Sequence, residues 1–135
     1  PWLTARKDKV ELPDGRIITG KTGELLGASS AALVNTLKEL AGIPHEELIL
    51  SPDALSPIQA LKTNYLGSKN PRLHTDEVLI ALSATAAYND QATLALKQLP
   101  KLKGSQVHSS VMLSSVDQKT FKKLFCDVTC EPKTI

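Results

Sequence analysis

Apolar and polar positions follow two periods in this chain, a period of two near its ends and a period close to 3.6 through its middle. Val10-Glu11-Leu12 and Arg16-Ile17-Ile18-Thr19 flank Pro13-Asp14-Gly15, where proline presets φ, aspartate bonds locally and glycine accepts a positive φ. A β-hairpin is expected there. Ser29 or Ser30 then caps a helix reaching Ala41, on which Leu33, Val34, Leu37, Leu40 and Ala41 line one face. Gly42 ends it, Ile43 packs back on the last turn, and Pro44 prevents continuation. Leu48-Ile49-Leu50, bounded by Glu47 and Ser51-Pro52, reads as a central strand buried on both faces.

Ser56-Pro57 supplies the N-cap and first position of the next helix, with Ile58, Leu61, Tyr65 and Leu66 on one face and Gly67 past its end. Thr75 caps a further helix, with Asp76 and Glu77 in its first turn, running to about Tyr88. Asn89 and Asp90 mark a break before a short helix that stops at Pro100. Residues 107–113 alternate as a strand, 117–124 form a short helix with Phe121 and Leu124 inward, and 126–130 form the last strand. The order β-β-α-β-α-α-α-β-α-β predicts an α/β fold, a three-layer α/β/α arrangement with a mixed sheet and the hairpin first.

Length adds that 135 residues make one domain, 1–135, with a single core. Sixteen Lys plus Arg against fourteen Asp plus Glu leave a formal charge of +2, without the basic excess of a nucleic-acid footprint, so no nucleic-acid partner is expected. No apolar run reaches the roughly 18 residues needed to span a bilayer, so no membrane partner is expected and the chain reads as cytoplasmic. It opens on Pro1-Trp2 and contains one methionine, Met112, as a fragment or processed product would. At about 3.3 Å per strand residue, Cys126 and Cys130 lie roughly 13 Å apart, beyond the ~7 Å limit of a disulfide. They read as small buried hydrophobes.

The polar chemistry concentrates in residues 67–77, G-S-K-N-P-R-L-H-T-D-E. Turn residues between two periodic segments make a loop on a rigid frame, the usual place for binding groups. Arg72 and His74 are expected to converge with the free amides at the Thr75 helix start on a small anion, with Asn70, Lys69, Ser29 and Ser30 as further candidates. Read structurally, Asn70 and Pro71 make a turn, residues 75–77 a helix start, and Lys69 and Arg72 a solvated rim.

Other motifs carry less. Residues 15–22 match the phosphate-loop pattern G-x4-G-K-[ST], but Gly15 belongs to the hairpin turn and residues 16–19 read as strand. The hairpin-helix-strand-helix order invites comparison with zinc nucleoside deaminases, which place His or Cys and then x-Glu at the first helix and Pro-Cys-x-x-Cys at the second. Here Gly27-Ala28-Ser29-Ser30 and Pro52-Asp53-Ala54-Leu55-Ser56 stand instead, so the thiolates are absent, and neither a metal nor a cofactor is expected. His45-Glu46-Glu47 spells His-x-Glu beyond the first helix, away from that place. A Ser-His-Asp set could be assembled from Ser29 or Ser30, His108 and Asp53, with nothing to fix their distances.

Four stretches go further together: L-P-D-G-R-I-I-T-G-K-T at 12–22, Y-L-G-S-K-N-P-R-L-H-T-D-E-V-L-I-A-L at 65–82, Q-L-P-K-L-K-G at 98–104 and T-C-E-P at 129–132. They closely resemble the C-terminal part of a bacterial family known as domain of unknown function 1846. The resemblance implies a longer parent protein, of which this chain is the C-terminal subdomain, and a layout similar to the cytidine-deaminase topology. It supplies no activity and no catalytic residues. The expected partners are therefore a small anionic ligand and the N-terminal part of the parent, whose groups an enzyme would also need. The alternative is a non-catalytic packing or oligomerisation module, self-association included.

Overall fold

The structure, a computed structural model, describes residues 6–131. Strands β1 (Lys7–Glu11) and β2 (Ile17–Lys21) pair antiparallel, and Gly15 takes φ 95° in the turn, where its amide donates to the Leu12 carbonyl. Helix α1 (Ala28–Ala41) follows and ends as expected: Gly42 is left-handed, and the Ile43 amide reaches back 2.9 Å to the Lys38 carbonyl. Its start differs from the expectation. Gly27 is the N-cap, and Ser29 and Ser30 are buried inside the first turn.

Residues 48–50 do not form a strand. Ile49 and Leu50 still enter the core, but as irregular chain, while Leu48 is 72% exposed. Three apolar residues satisfy a core as well from a loop as from a strand, and here β3 (Gln106–Ser109) takes the place beside β1, pairing antiparallel with it. The next helix, α2 (Pro52–Ala60), begins earlier than expected, because Ser51-Pro52 offers the same cap chemistry as Ser56-Pro57 and comes first. Ser51 Oγ accepts the Ala54 amide at 3.2 Å, and Pro57 lies inside the helix. A π-helical turn, Leu61–Tyr65, continues α2 and closes on Gly67 at φ 72°.

Helix α3 (Thr75–Thr85) has His74 as N-cap, with Thr75 as its first residue; it gives way to turns before Tyr88. Asn89 Oδ1 accepts the Gln91 and Ala92 amides and starts α4 (Asp90–Leu96), and a 3-10 turn spans Leu99–Leu102 around Pro100. Strand β3 is shorter than the expected 107–113, since the Ser109 hydroxyl accepts the Val111 amide and turns the chain away. Helix α5 (Ser115–Lys123), capped by Ser114, leads to β4 (Asp127–Cys130), parallel to β3.

The sheet order is β2-β1-β3-β4. Asp8, Val10, Ile18, Gly20, Val107, Ser109, Val128 and Cys130 share one face by register, and α1 lies across β1 and β2 on it while α5 packs beside β4. Helix α3 stacks on α1, α4 and α5. The other face carries Lys7, Lys9, Glu11, Thr19, Lys21, Gln106, His108, Asp127 and Thr129, with Ile17 as its one large apolar residue. No helix of the described residues covers it, so the α/β fold has two layers here rather than the three expected. A face with so few apolar groups has little to gain from a cover.

Candidate functional site

Residues 67–74 are stitched to the entry of α1 by backbone bonds. The Leu73 amide donates to the Leu25 carbonyl at 2.9 Å, the Gly27 amide to the Leu73 carbonyl at 3.4 Å, and Ser30 Oγ to that carbonyl at 2.8 Å. Leu73 is buried as the anchor between them. The two helix starts expected to converge, at Ser29-Ser30 and at Thr75, are thus joined through Leu73. Asn70 shapes the loop tip, its Oδ1 accepting the Arg72 amide at 3.0 Å.

Most of the polar groups brought together are already engaged. Ser29 Oγ donates to Asp8 Oδ2 at 2.7 Å, and Asp8, fully buried, is paired with Arg6 at 2.5 Å. The start of α3 meets a carboxylate of the protein itself: Asp117 Oδ1 accepts both the Thr75 amide (3.0 Å) and the Thr75 hydroxyl (2.7 Å). Asp117 Oδ2 lies 4.0 Å from His74 Nδ1. Glu77 Oε1 accepts the His74 amide at 2.7 Å and the Lys62 ammonium at 2.8 Å, and Lys62 also donates to the Arg72 carbonyl. Asp76 Oδ1 accepts the Glu77 amide at 2.8 Å.

Arg72 is the exception. Its Nε donates to the Gly23 carbonyl at 2.5 Å, and among the described residues its terminal amino groups have no partner and no carboxylate in ion-pair range. Lys69 is exposed, and the His74 side chain is 35% exposed. Lys69 and Arg72 are the cations of this loop, His74 follows them at the helix start, and the nearby carboxylates of Asp76, Glu77 and Asp117 are each bonded elsewhere.

The other motifs resolve differently. Residues 15–22 are a hairpin arm and not a phosphate loop. His108 lies on the open sheet face, 3.9 Å from Glu11, while Ser29 is bonded to Asp8 on the inner face and Asp53 is exposed on α2, so these residues do not form a Ser-His-Asp set. Among the described residues no three His, Cys, Asp or Glu side chains gather as a metal site requires. Cys126 and Cys130 are free; burial pushes the Cys126 thiol up to about 11, with Asp127 adding to the shift.

The sequence reading missed Asp8, Lys62 and Asp117. Asp8 had a signal, because period two places it on the inward face with Val10. Asp117 had a weaker one, in the Ser114-x-x-Asp117 helix start. Lys62 had none, since its partners come from the following loop.

The family description "Domain of unknown function DUF1846, C-terminal" matches residues 4–134. The chain belongs to this family. Its relatives include UPF0371 proteins of Corynebacterium glutamicum (56% identical over 124 residues), Corynebacterium efficiens (59% over 122 residues) and Streptococcus uberis (50% over 123 residues). Each match takes in 90–92% of this chain and 25% of the relative. The chain therefore spans about a quarter of the length of the family members it matches. No helix among the described residues is long and apolar enough to cross a membrane.

Proposed function

We propose that the rim formed by Arg72, Lys69 and His74 binds a small anion bearing a phosphate or carboxylate, alone or with groups from the remainder of a longer protein. The observation that carries this reading is the guanidinium of Arg72, fixed through one N–H while its outer fork stays unpartnered beside acids that are already bonded elsewhere. A planar fork held in place is suited to bidentate recognition of an oxyanion. In this reading Asn70 holds the loop, and Ser29, Ser30 and Thr75 position it from beneath. Titration of inorganic phosphate followed by amide NMR should move the signals of residues 69–74 saturably, and Arg72→Ala should weaken that binding at least tenfold. Equal binding by the variant would remove the reading.

A second reading, a packing module for the remainder of a longer protein, has its own support. Leu61 and Tyr65 are exposed on the π turn that enters the loop, Tyr65 at 80%, and Leu66 just after it is exposed as well. In that case burial of this turn against another chain or segment would accompany assembly. The finer topology, a cytidine-deaminase-like layout, belongs here as well. The leading hairpin followed by α1 supports it, while the strand that layout needs between the first two helices is replaced by the irregular residues 48–50.

A further inference from the structure

A groove of about 500 Å³ lies beside α1, walled by Leu25, Val34, Leu50 and Leu55 with the exposed Leu48 at its rim. Lys38 lines it as well and is only 6% exposed. Its ammonium donates to the His45 carbonyl at 2.7 Å and to the Glu47 carbonyl. An ammonium has three N–H groups, and the third has no acceptor among the described residues. Burial lowers the Lys38 pKa from its ordinary 10.5, with Glu46 and Glu47 opposing the shift, so this cation lacks a full counterion. The Glu47 carboxylate is drawn away to Gln91 at the start of α4. His45 and Asn35 add polar groups to the lining, against Glu24.

We propose that this groove is a binding site for a small aliphatic monocarboxylate, its head on the Lys38 ammonium and its hydrocarbon body against the leucine and valine walls. The volume is that of a small-molecule site, and mostly apolar walls around one buried cation fit a ligand with a single charge at one end. No Phe, Tyr or Trp lines the groove, so an aliphatic body suits it better than a ring. Gly23, whose carbonyl holds Arg72 Nε, also lines this groove, so the two sites adjoin, and the cation of the groove is Lys38.

The test uses octanoate, octanol and octylamine at submicellar concentration, with amide NMR as the readout. Octanoate should give saturable shifts at Val34, Leu48, Leu50 and Leu55, octanol should bind at least tenfold more weakly, and octylamine should not bind. Shortening the acid to hexanoate should weaken binding by about threefold to fourfold per methylene removed. Lys38→Met keeps the apolar stem and should abolish the preference for acid over alcohol. If that variant fails to fold, the acid-to-alcohol ratio of the unmodified chain decides. Octanoate binding no tighter than octanol, shifts scattered outside the groove, a preference retained in Lys38→Met, or displacement of octanoate by inorganic phosphate would each overturn the proposal.

Discussion

Thr75 and Asp117 show how a residue's role depends on what the fold brings to it. In sequence Thr75 has the chemistry of a helix cap, and the free amides behind it suggest a place for an anion. In the structure that place belongs to Asp117, forty-two positions away, whose carboxylate takes the amide and the hydroxyl together. Local rules showed that the helix start wants negative charge, and only tertiary packing decides who supplies it. A hydrogen bond to a charged group contributes about 1.5–3 kcal/mol. Thr75→Val, nearly isosteric and lacking the hydroxyl, should therefore lower the unfolding free energy by an amount in that range, read from urea denaturation. A loss below about 0.5 kcal/mol would mean that the Asp117 carboxylate finds equivalent partners elsewhere.

Among the elements, those set by local chemistry were legible and those set by competition were not. The hairpin and the end of α1 followed from glycines that accept positive φ at Gly15 and Gly42. The strand expected at 48–50 failed because a short apolar run has no period of its own, and α2 started at the first of two equivalent Ser-Pro pairs. The contact of β2 with α1 left a sharper trace. A Cβ at Gly20 would stand 2.0 Å from the Ala32 amide nitrogen, against helix backbone that cannot swing aside. Gly20→Ala should cost at least the upper end of the roughly 1–3 kcal/mol typical of an overpacked core, with a lowered thermal midpoint as the readout. An unchanged midpoint would mean that α1 sits farther from the sheet. The same glycine is part of the apparent phosphate loop, and its packing role accounts for it without any nucleotide.

For the whole molecule, the class of fold was readable and the number of layers was not. The alternation along each strand marks an inward and an outward face, but nothing in a single strand says whether helices cover the outward one. Register decides it, by gathering Lys7, Lys9, Lys21 and His108 on one uncovered surface. Stability against alkali is a property at this scale. The Cys126 thiol is raised from 9.0 to about 11, so between those values the folded chain holds a proton that the unfolded chain has released. That contribution is complete below pH 9.0 and is lost as pH rises through about 11. The urea midpoint should fall across this window, and Cys126→Ala should fall less steeply; parallel curves would show that the thiol ionises as freely in the folded chain.

The proposed anion site at Arg72 is tested most directly by a crystal of this chain soaked in sulfate. Sulfate is expected within hydrogen-bond distance of the terminal amino groups of Arg72, with Lys69 or His74 as a second contact and Asp117 still bonded to Thr75. A rim left empty at saturating sulfate, with the Arg72 fork closed on a carboxylate, would contradict it and leave the packing module as the function of this surface.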